Sequence, residues 1–225
     1  MNDKLAADRV RVTMLSGSFE YDSEDSLTVL VGYLRVNAPI IDSRLIVYQS
    51  DSEVQSLSAL DEDTDVLLVF TRRLTMEGAE LERVKRYCAA GKPVVGIRTA
   101  SHAFEQWLEF DSEILGGSYD GHFSTGPLCQ VEAAAPEAPI LNGVQPFISH
   151  GSLYRTSPLA ANARLLLIGH ADNHSEPVAW VRSSSDQRVF YTSLGHQKDF
   201  WELDFLRLIE NALLWAGGHA PPNQP

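Results

Sequence analysis

Two continuously apolar runs with a helical segment between them constrain this chain more than any other feature. Residues 65–70 (DVLLVF) and 93–97 (PVVGI) are short and do not alternate with polar residues. Runs of this kind are typical of strands covered on both faces, as in a parallel sheet with helices on each side. The segment between them predicts a helix that begins after Thr75 and ends at Gly91.

The rest of the chain extends this pattern. The first half predicts strands at residues 10–15 and 45–48, with a helix between them that begins at Ser23 and stops before Pro39. A short helix is predicted after residue 97, and a last, mostly apolar one over residues 200–215. The second half predicts strands at residues 129–132, 152–154, 164–168, 177–181 and 188–192.

We therefore predict an α/β fold of three layers, α/β/α, with a mostly parallel central sheet. A β-rich antiparallel extension is expected in the second half. One domain would occupy residues 1–218, and residues 219–225 (HAPPNQP) would form a flexible tail.

Charge and cysteine content exclude several classes of partner and fold. Thirty acidic and eighteen basic residues give a net charge of −12. This balance disfavours nucleic acids and anionic membranes as partners. Cys88 and Cys129 cannot form a disulfide framework. The sequence contains no apolar leader segment and no apolar run long enough to span a membrane, so a cytoplasmic location is expected.

Polar residues follow the strong strands at the points where ligands bind in open parallel sheets. Arg72 follows the third strand, residues 98–102 (RTASH) follow the fourth, and residues 193–196 (SLGH) follow the last. A glycine-rich loop at residues 116–122 (GGSYDGH) lies between them in sequence. We expect these segments to meet at one edge of the sheet.

Arg98 is the residue that a sharp strand-to-helix turn would raise above the sheet, where other folds place a nucleophile. A guanidinium stays protonated and is no nucleophile, but it binds carboxylates, phosphates or sugar hydroxyls. The alternative is an ordinary ion pair with one of the many carboxylates. The predicted substrate-binding residues are Arg98, Arg72, Thr99, Ser101 and Tyr119.

The candidate catalytic residues are His196, His122, Asp120 and His102. Asp120 and His122 would share a face if their loop is extended, and could share a metal or a proton; the alternative is a tight turn. His196 is either functional or bonded to a backbone carbonyl, and His102 is either a base or a surface residue. Ser101 is either a nucleophile or a helix cap.

The sequence offers little support for cofactors or for further functional residues. Because neither a dinucleotide nor a P-loop fingerprint is present, no nucleotide cofactor is expected. A divalent metal would have His122 and His196 as its candidate ligands. His150, His170 and His174 are predicted to be surface residues.

Four segments together resemble the ThuA-like (trehalose utilisation) family of the class I glutamine amidotransferase-like superfamily. They are residues 91–104 (GKPVVGIRTASHAF), 115–122 (LGGSYDGH), 177–180 (PVAW) and 188–196 (RVFYTSLGH). The resemblance implies a flavodoxin-like fold. It puts Arg98 at the elbow cysteine of the amidotransferases, His196 at their triad histidine and Lys198 at their triad glutamate. Glutaminase activity is therefore expected to be absent.

The resemblance implies a role in carbohydrate use, so we expect a protein that binds a small sugar or sugar derivative. If it is an enzyme, the reaction would be hydrolysis, isomerisation or lyase chemistry. A second interpretation is a non-catalytic ligand-binding module on a degenerate amidotransferase fold. A third is an assembly subunit or homo-oligomer that uses the apolar last helix.

Overall fold

A mixed sheet forms the centre of the protein in the computed structural model, which describes residues 9–48, 57–123, 128–183 and 187–222. Its strands are β1 (Val10–Gly17), β2 (Ile41–Val47), β3 (Val66–Thr71), β4 (Val94–Ile97), β5 (Cys129–Ala133), β6 (Phe147–Ser149), β7 (Ala163–Ala171), β8 (His174–Ser183) and β9 (Arg188–Thr192). The helices are α1 (Ser23–Asn37), α2 (Ala59–Glu62), α3 (Gly78–Ala89) and α4 (Leu203–Ala216).

The strand order is β2-β1-β3-β4-β9-β8-β7-β5-β6. The first five strands in this order are parallel to their neighbours, and every pairing from β9 to β6 is antiparallel. The predicted fold class, a parallel sheet with a late antiparallel extension, is therefore confirmed. Because all five parallel strands run the same way, the loops after them meet at one edge.

Strand β3 is covered on both faces, as its continuous apolar run predicted. Val66, Leu68 and Phe70 belong to the core cluster that includes the buried faces of α1 and α4. Leu67 and Val69 belong to the opposite cluster, with α3. All five are fully buried, which is worth roughly 1.5–3 kcal/mol for each side chain. Because both faces are covered by helices, the ends of the strands are the part of the sheet left for a ligand site.

The apolar last helix is buried by the domain itself. Ten of the fourteen residues of α4 are buried, whereas Leu203 at its start is 67% exposed. A 3₁₀ helix, Gln197–Trp201, precedes α4, so the predicted single helix is two pieces. The predicted homo-oligomer stays a prediction. No helix in the described part of the chain is long and apolar enough to cross a bilayer.

Two predicted elements differ in the structure. Residues 152–154 are not a strand, because the Ser152 carbonyl accepts from the Arg98 side chain and only Tyr154 forms an isolated bridge. The edge strand is β6 instead. The helix predicted after β4 is a 3₁₀ helix, Arg98–His102, followed by a π-helical turn at Asp111–Leu115.

The extent of the domain stays a prediction, and residues 223–225 of the predicted tail lie outside the described residues.

Candidate functional site

The turn after β4 holds Arg98 in a left-handed backbone conformation. Its φ is +45°, which is rare for a residue with a side chain and costs about 1–3 kcal/mol. The Tyr191 hydroxyl donates to the Arg98 carbonyl at 2.6 Å and holds the turn. Gly195 lets the neighbouring loop approach, since a Cβ there would lie 2.5 Å from Ile97. The predicted elbow is therefore present, with an arginine at its centre.

The Arg98 side chain does not project into solvent. The residue is 1% exposed, and its guanidinium carbon lies 4.5 Å from the ring centroids of both Tyr21 and Tyr154. Nη1 donates to the Ser193 carbonyl at 2.8 Å, and Nη2 to the Ser152 carbonyl at 3.4 Å. Nε has no partner among the described residues.

No ion pair is formed by Arg98 within the described residues, so the alternative interpretation of a carboxylate partner is wrong there. Instead two aromatic rings and backbone carbonyls stabilise the buried cation. Substrate binding by Arg98 stays a prediction.

Aromatic and imidazole rings pack against one another beside Arg98. His102 lies on Tyr119, with ring centroids 4.6 Å apart and planes 19° from parallel. Tyr119 contacts Tyr154 at 4.7 Å, and His122 lies 6.4 Å from Tyr154 on another side. On the far side of Arg98, His196 meets Tyr21 edge-on at 6.1 Å. The topology thus brings together ring systems from five separate segments.

We call Arg98, His102, Tyr119, Tyr154 and His196 the edge site. Four of its members were predicted from the sequence: Arg98, His102, Tyr119 and His196. The rings of Tyr154 and of the neighbouring Tyr21 join them to one another. Tyr154 is 2% exposed whereas Tyr119 is partly exposed, so Tyr119 is the tyrosine of this site that a ligand can contact.

His102 is held neutral by its surroundings. Burial, followed by the nearby charges of Arg72 and Arg73, lowers its pKa to about 3. Its Nδ1 lies 3.1 Å from the hydroxyl of Ser101, which also contacts the Arg98 carbonyl at 3.4 Å. A neutral imidazole can donate or accept a hydrogen bond without attracting anions by charge.

His196 begins the 3₁₀ helix before α4 and faces a second histidine. Its Nδ1 accepts from the Lys198 backbone N–H at 3.2 Å, and its ring centroid lies 6.4 Å from that of His150. Burial lowers the pKa of His196, and the positive charge of Arg98 adds to this effect, although Asp199 opposes it.

Asp120, Arg72 and Thr99 are among the predicted residues that lie outside the edge site. Asp120 is 89% exposed at its side chain and lies 3.6 Å from Arg155. Arg72 is exposed and pairs with Glu20 at 2.9 Å. Thr99 is fully buried, and its hydroxyl has no partner among the described residues.

A metal does not fit the residues present. His122 and His196, its candidate ligands, are linked only through a chain of contacts that runs along Tyr154, Arg98 and Tyr21. Within the described ranges no cluster of three histidine, cysteine, aspartate or glutamate residues could hold a metal ion. We therefore derive no chemistry through a metal here.

Sequence reasoning missed four residues near the site. Tyr21 and Tyr154 surround Arg98, and Asp199 is a fully buried carboxylate that contacts His150. His150 was predicted to be a surface residue, but its side chain is 25% exposed. Asp199 stands three residues after His196, the last residue of the predicted segment at residues 193–196, and that position was the available signal.

A fifth missed residue is Asp111, which is 6% exposed beneath the glycine-rich loop. Burial raises its pKa to about 6, and the carboxylate accepts from the Tyr119 backbone N–H at 2.8 Å. Asp111 therefore orients the segment that carries Tyr119.

Comparison with known proteins gives one family and several related folds. The family described as ThuA, trehalose utilisation, matches residues 11–216. No curated protein sequence matches the chain.

Solved structures are similar in fold. A ThuA-like protein of Parabacteroides merdae superposes with a TM-score of 0.77 at 17% identity, covering 96% of this chain and 93% of its own. A ThuA-like protein of Bacteroides uniformis gives 0.70 at 16% identity, with 95% of each chain covered. A glutamine amidotransferase of Thermotoga maritima gives 0.52 at 13% identity, covering 93% and 94%. At these identities the likeness is one of fold.

Proposed function

The chain belongs to the ThuA (trehalose utilisation) family, and we propose that it binds a small sugar or sugar derivative at the edge site. The resemblance to this family, drawn from the sequence, is confirmed. The carbohydrate link comes with the family, whereas the ligand and the site are our proposal.

The stack of His102 on Tyr119, with Tyr154 packed against Tyr119, is the observation that supports this proposal most. A sugar ring carries C–H groups on its faces and hydroxyls at its rim. Its faces therefore pack on aromatic rings, while the rim hydroxyls need polar partners. The edge site offers both, because the imidazoles of His102 and His196 lie at the two ends of the same group of rings.

Charge supports an uncharged or anionic ligand over a cationic one. The whole chain carries −12, yet Arg98 is buried in the edge site and Arg72 and Arg73 act on His102 by charge. Arg98 thus places a buried positive charge at this edge of an otherwise acidic protein. Sugar hydroxyls and sugar acids both accept from guanidinium groups.

The protein is expected to lack glutaminase activity. The elbow holds Arg98, whose guanidinium carbon is no nucleophile, and the resemblance puts Lys198 where a triad glutamate would stand. A release of ammonia from glutamine by the purified protein would contradict this expectation.

The experiment that tests sugar binding is a titration of the protein with trehalose, maltose and glucose, followed by calorimetry and by NMR of the aromatic resonances. We expect binding that His102→Ala weakens, because the variant removes one ring of the stack. His170→Ala is the matched control, since His170 lies on β7 and pairs with exposed Glu132 at 3.0 Å. Equal binding by both variants would exclude the stack as the sugar site.

A non-catalytic binding module is a second candidate function. It is favoured by the burial of Arg98, which fills the elbow where related folds have their reacting group. NMR of each bound sugar after prolonged incubation separates the two candidates. A new product would indicate an enzyme, and an unchanged sugar would indicate a binding module for that ligand.

A further inference from the structure

Asp199 is a buried carboxylate that organises the loop beside the edge site. Its Oδ2 accepts from the Ser149 hydroxyl at 2.7 Å and from the backbone N–H groups of Gly195 and His196 at 3.0 Å. Its Oδ1 accepts from the His150 backbone N–H at 2.8 Å and lies 3.3 Å from His150 Nδ1. Four donors already point at this carboxylate, so it acts as an acceptor toward the imidazole as well.

This contact determines the tautomer of His150. An acceptor opposite Nδ1 requires that Nδ1 carries the proton, and the lone pair of the neutral ring is then on Nε2. No described residue hydrogen-bonds to Nε2, and the side chain is 25% exposed. His150 therefore presents a proton acceptor to solvent, with a buried carboxylate behind it.

His196 has the opposite arrangement. Its Nδ1 accepts from the Lys198 backbone N–H, so in the neutral ring the proton lies on Nε2. Burial, the largest effect, lowers the pKa of His196 and favours this neutral form, although the charge of Asp199 opposes it. The two rings are 6.4 Å apart and tilted by 33°.

We propose that His150, oriented by Asp199, is the proton acceptor of the edge site and that His196 Nε2–H is the donor beside it. The inference rests on the proposed function, because it defines what part of a sugar would be recognised. The pair suits a ligand in which a hydroxyl lies next to a second oxygen, such as a vicinal diol or a hydroxycarbonyl group.

The proton balance follows from the two tautomers. The ligand hydroxyl donates to His150 Nε2, and the neighbouring ligand oxygen accepts from His196 Nε2–H. Where the proton transfers, it moves from the ligand oxygen to Nε2 and leaves its electron pair on that oxygen. The positive charge of the resulting imidazolium is balanced by the carboxylate of Asp199. Asp199 itself neither gains nor loses a proton.

The tautomers can be read directly from ¹⁵N-detected imidazole spectra of the wild-type protein at pH 7.5. We expect His150 with its proton on Nδ1 and His196 with its proton on Nε2. Asp199→Asn should reduce the Nδ1–H fraction of His150 while leaving the spectrum of His170 unchanged. A wild-type His150 protonated on Nε2 would overturn the proposal.

Binding provides a second readout that does not depend on whether Asp199→Asn folds. With trehalose as the probe, His150→Ala should weaken binding by about tenfold or more, the loss expected when one buried polar contact is removed. His170→Ala should leave it unchanged.

Trehalose binding that is equal in wild type and His150→Ala would overturn the acceptor role and leave the proposed function standing. Expected tautomers in a protein that binds none of the sugars would refute the proposed function and support the acceptor assignment on its own.

Discussion

Gly151→Ala tests whether the Arg98 guanidinium is as confined as the structure indicates. A Cβ at position 151 would lie 2.5 Å from Nη1 and 2.6 Å from both Cζ and Nη2 of Arg98. Ordinary contacts between such atoms begin near 3.5 Å, so the guanidinium must move by about 1 Å. A flexible side chain on the surface would absorb this at no cost. Arg98 cannot, because it is buried between two rings.

The loss of stability in Gly151→Ala follows from the contacts that the displaced Arg98 guanidinium weakens. The movement weakens the 2.8 Å hydrogen bond from Nη1 to the Ser193 carbonyl, a charged contact worth about 1.5–3 kcal/mol. It also displaces the cation from the faces of Tyr21 and Tyr154, worth about 0.5–2 kcal/mol. Gly151→Ala should therefore destabilise the protein by about 2–4 kcal/mol, a loss of about 5–15 °C in Tm.

The assay is urea unfolding of a double-mutant cycle with Arg98→Ala. In that background the clash is absent, so adding the methyl group should change stability by less than about 0.5 kcal/mol. Gly32→Ala is the control, since Gly32 is exposed on α1 with no atom near its Cβ position, and it should stabilise by about 0.5–1 kcal/mol. A Gly151→Ala protein as stable as wild type would refute the confinement of Arg98.

Three further outcomes are expected. Burial raises the pKa of Asp111 from its ordinary 3.8 to about 6. The neutral carboxyl therefore stabilises the folded protein fully below pH 4, and this stabilisation is lost as the pH rises through 6. Asp111→Asn should abolish that loss of roughly 3 kcal/mol, measured by urea unfolding at pH 4 and pH 7. Burial raises the pKa of Cys88 to about 12 and that of Cys129 to about 11. Neither thiol should therefore react with a thiol reagent at pH 8 until the protein unfolds. Rapid labelling of the native protein would contradict this expectation. Because the pKa of His102 is lowered to about 3, its ring resonances should not shift between pH 5 and pH 8, and a midpoint in that range would contradict its burial.

The sheet was predictable because its central strands are continuous apolar runs, the pattern of strands that are covered on both faces. The four parallel strands of the first half were located with small differences, the largest at β2, which begins at Ile41 rather than residue 45. Residues 41–44 (IDSR) lack a continuous apolar pattern, since this edge strand is only partly buried. Residues 152–154 were wrongly predicted to be a strand. An apolar pair flanked by polar residues does not reveal that the side chain of the distant Arg98 donates to the Ser152 carbonyl.

The site was predictable only where position along the strands was enough. Arg98, His102 and His196 follow strands whose ends share an edge, so topology alone brings them close. Tyr21, Tyr154, His150 and Asp199 lie in the segments that connect the main strands and helices, Tyr21 and Asp199 in short 3₁₀ helices. Their proximity depends on how those segments fold back over the sheet. Asp120 shows the converse: its loop was located correctly, but its side chain points to solvent and meets Arg155.

The left-handed turn at residue 98 has a consequence for how enzymes are recognised from backbone shape. The positive torsion is held by the Tyr191 hydroxyl and by the close approach at Gly195, and neither depends on which side chain stands at the centre. A survey that sought hydrolases by this torsion alone would count the chain as one. Such geometry is thus a property of the backbone and its neighbours, and chemical competence has to be judged from the side chain that occupies it.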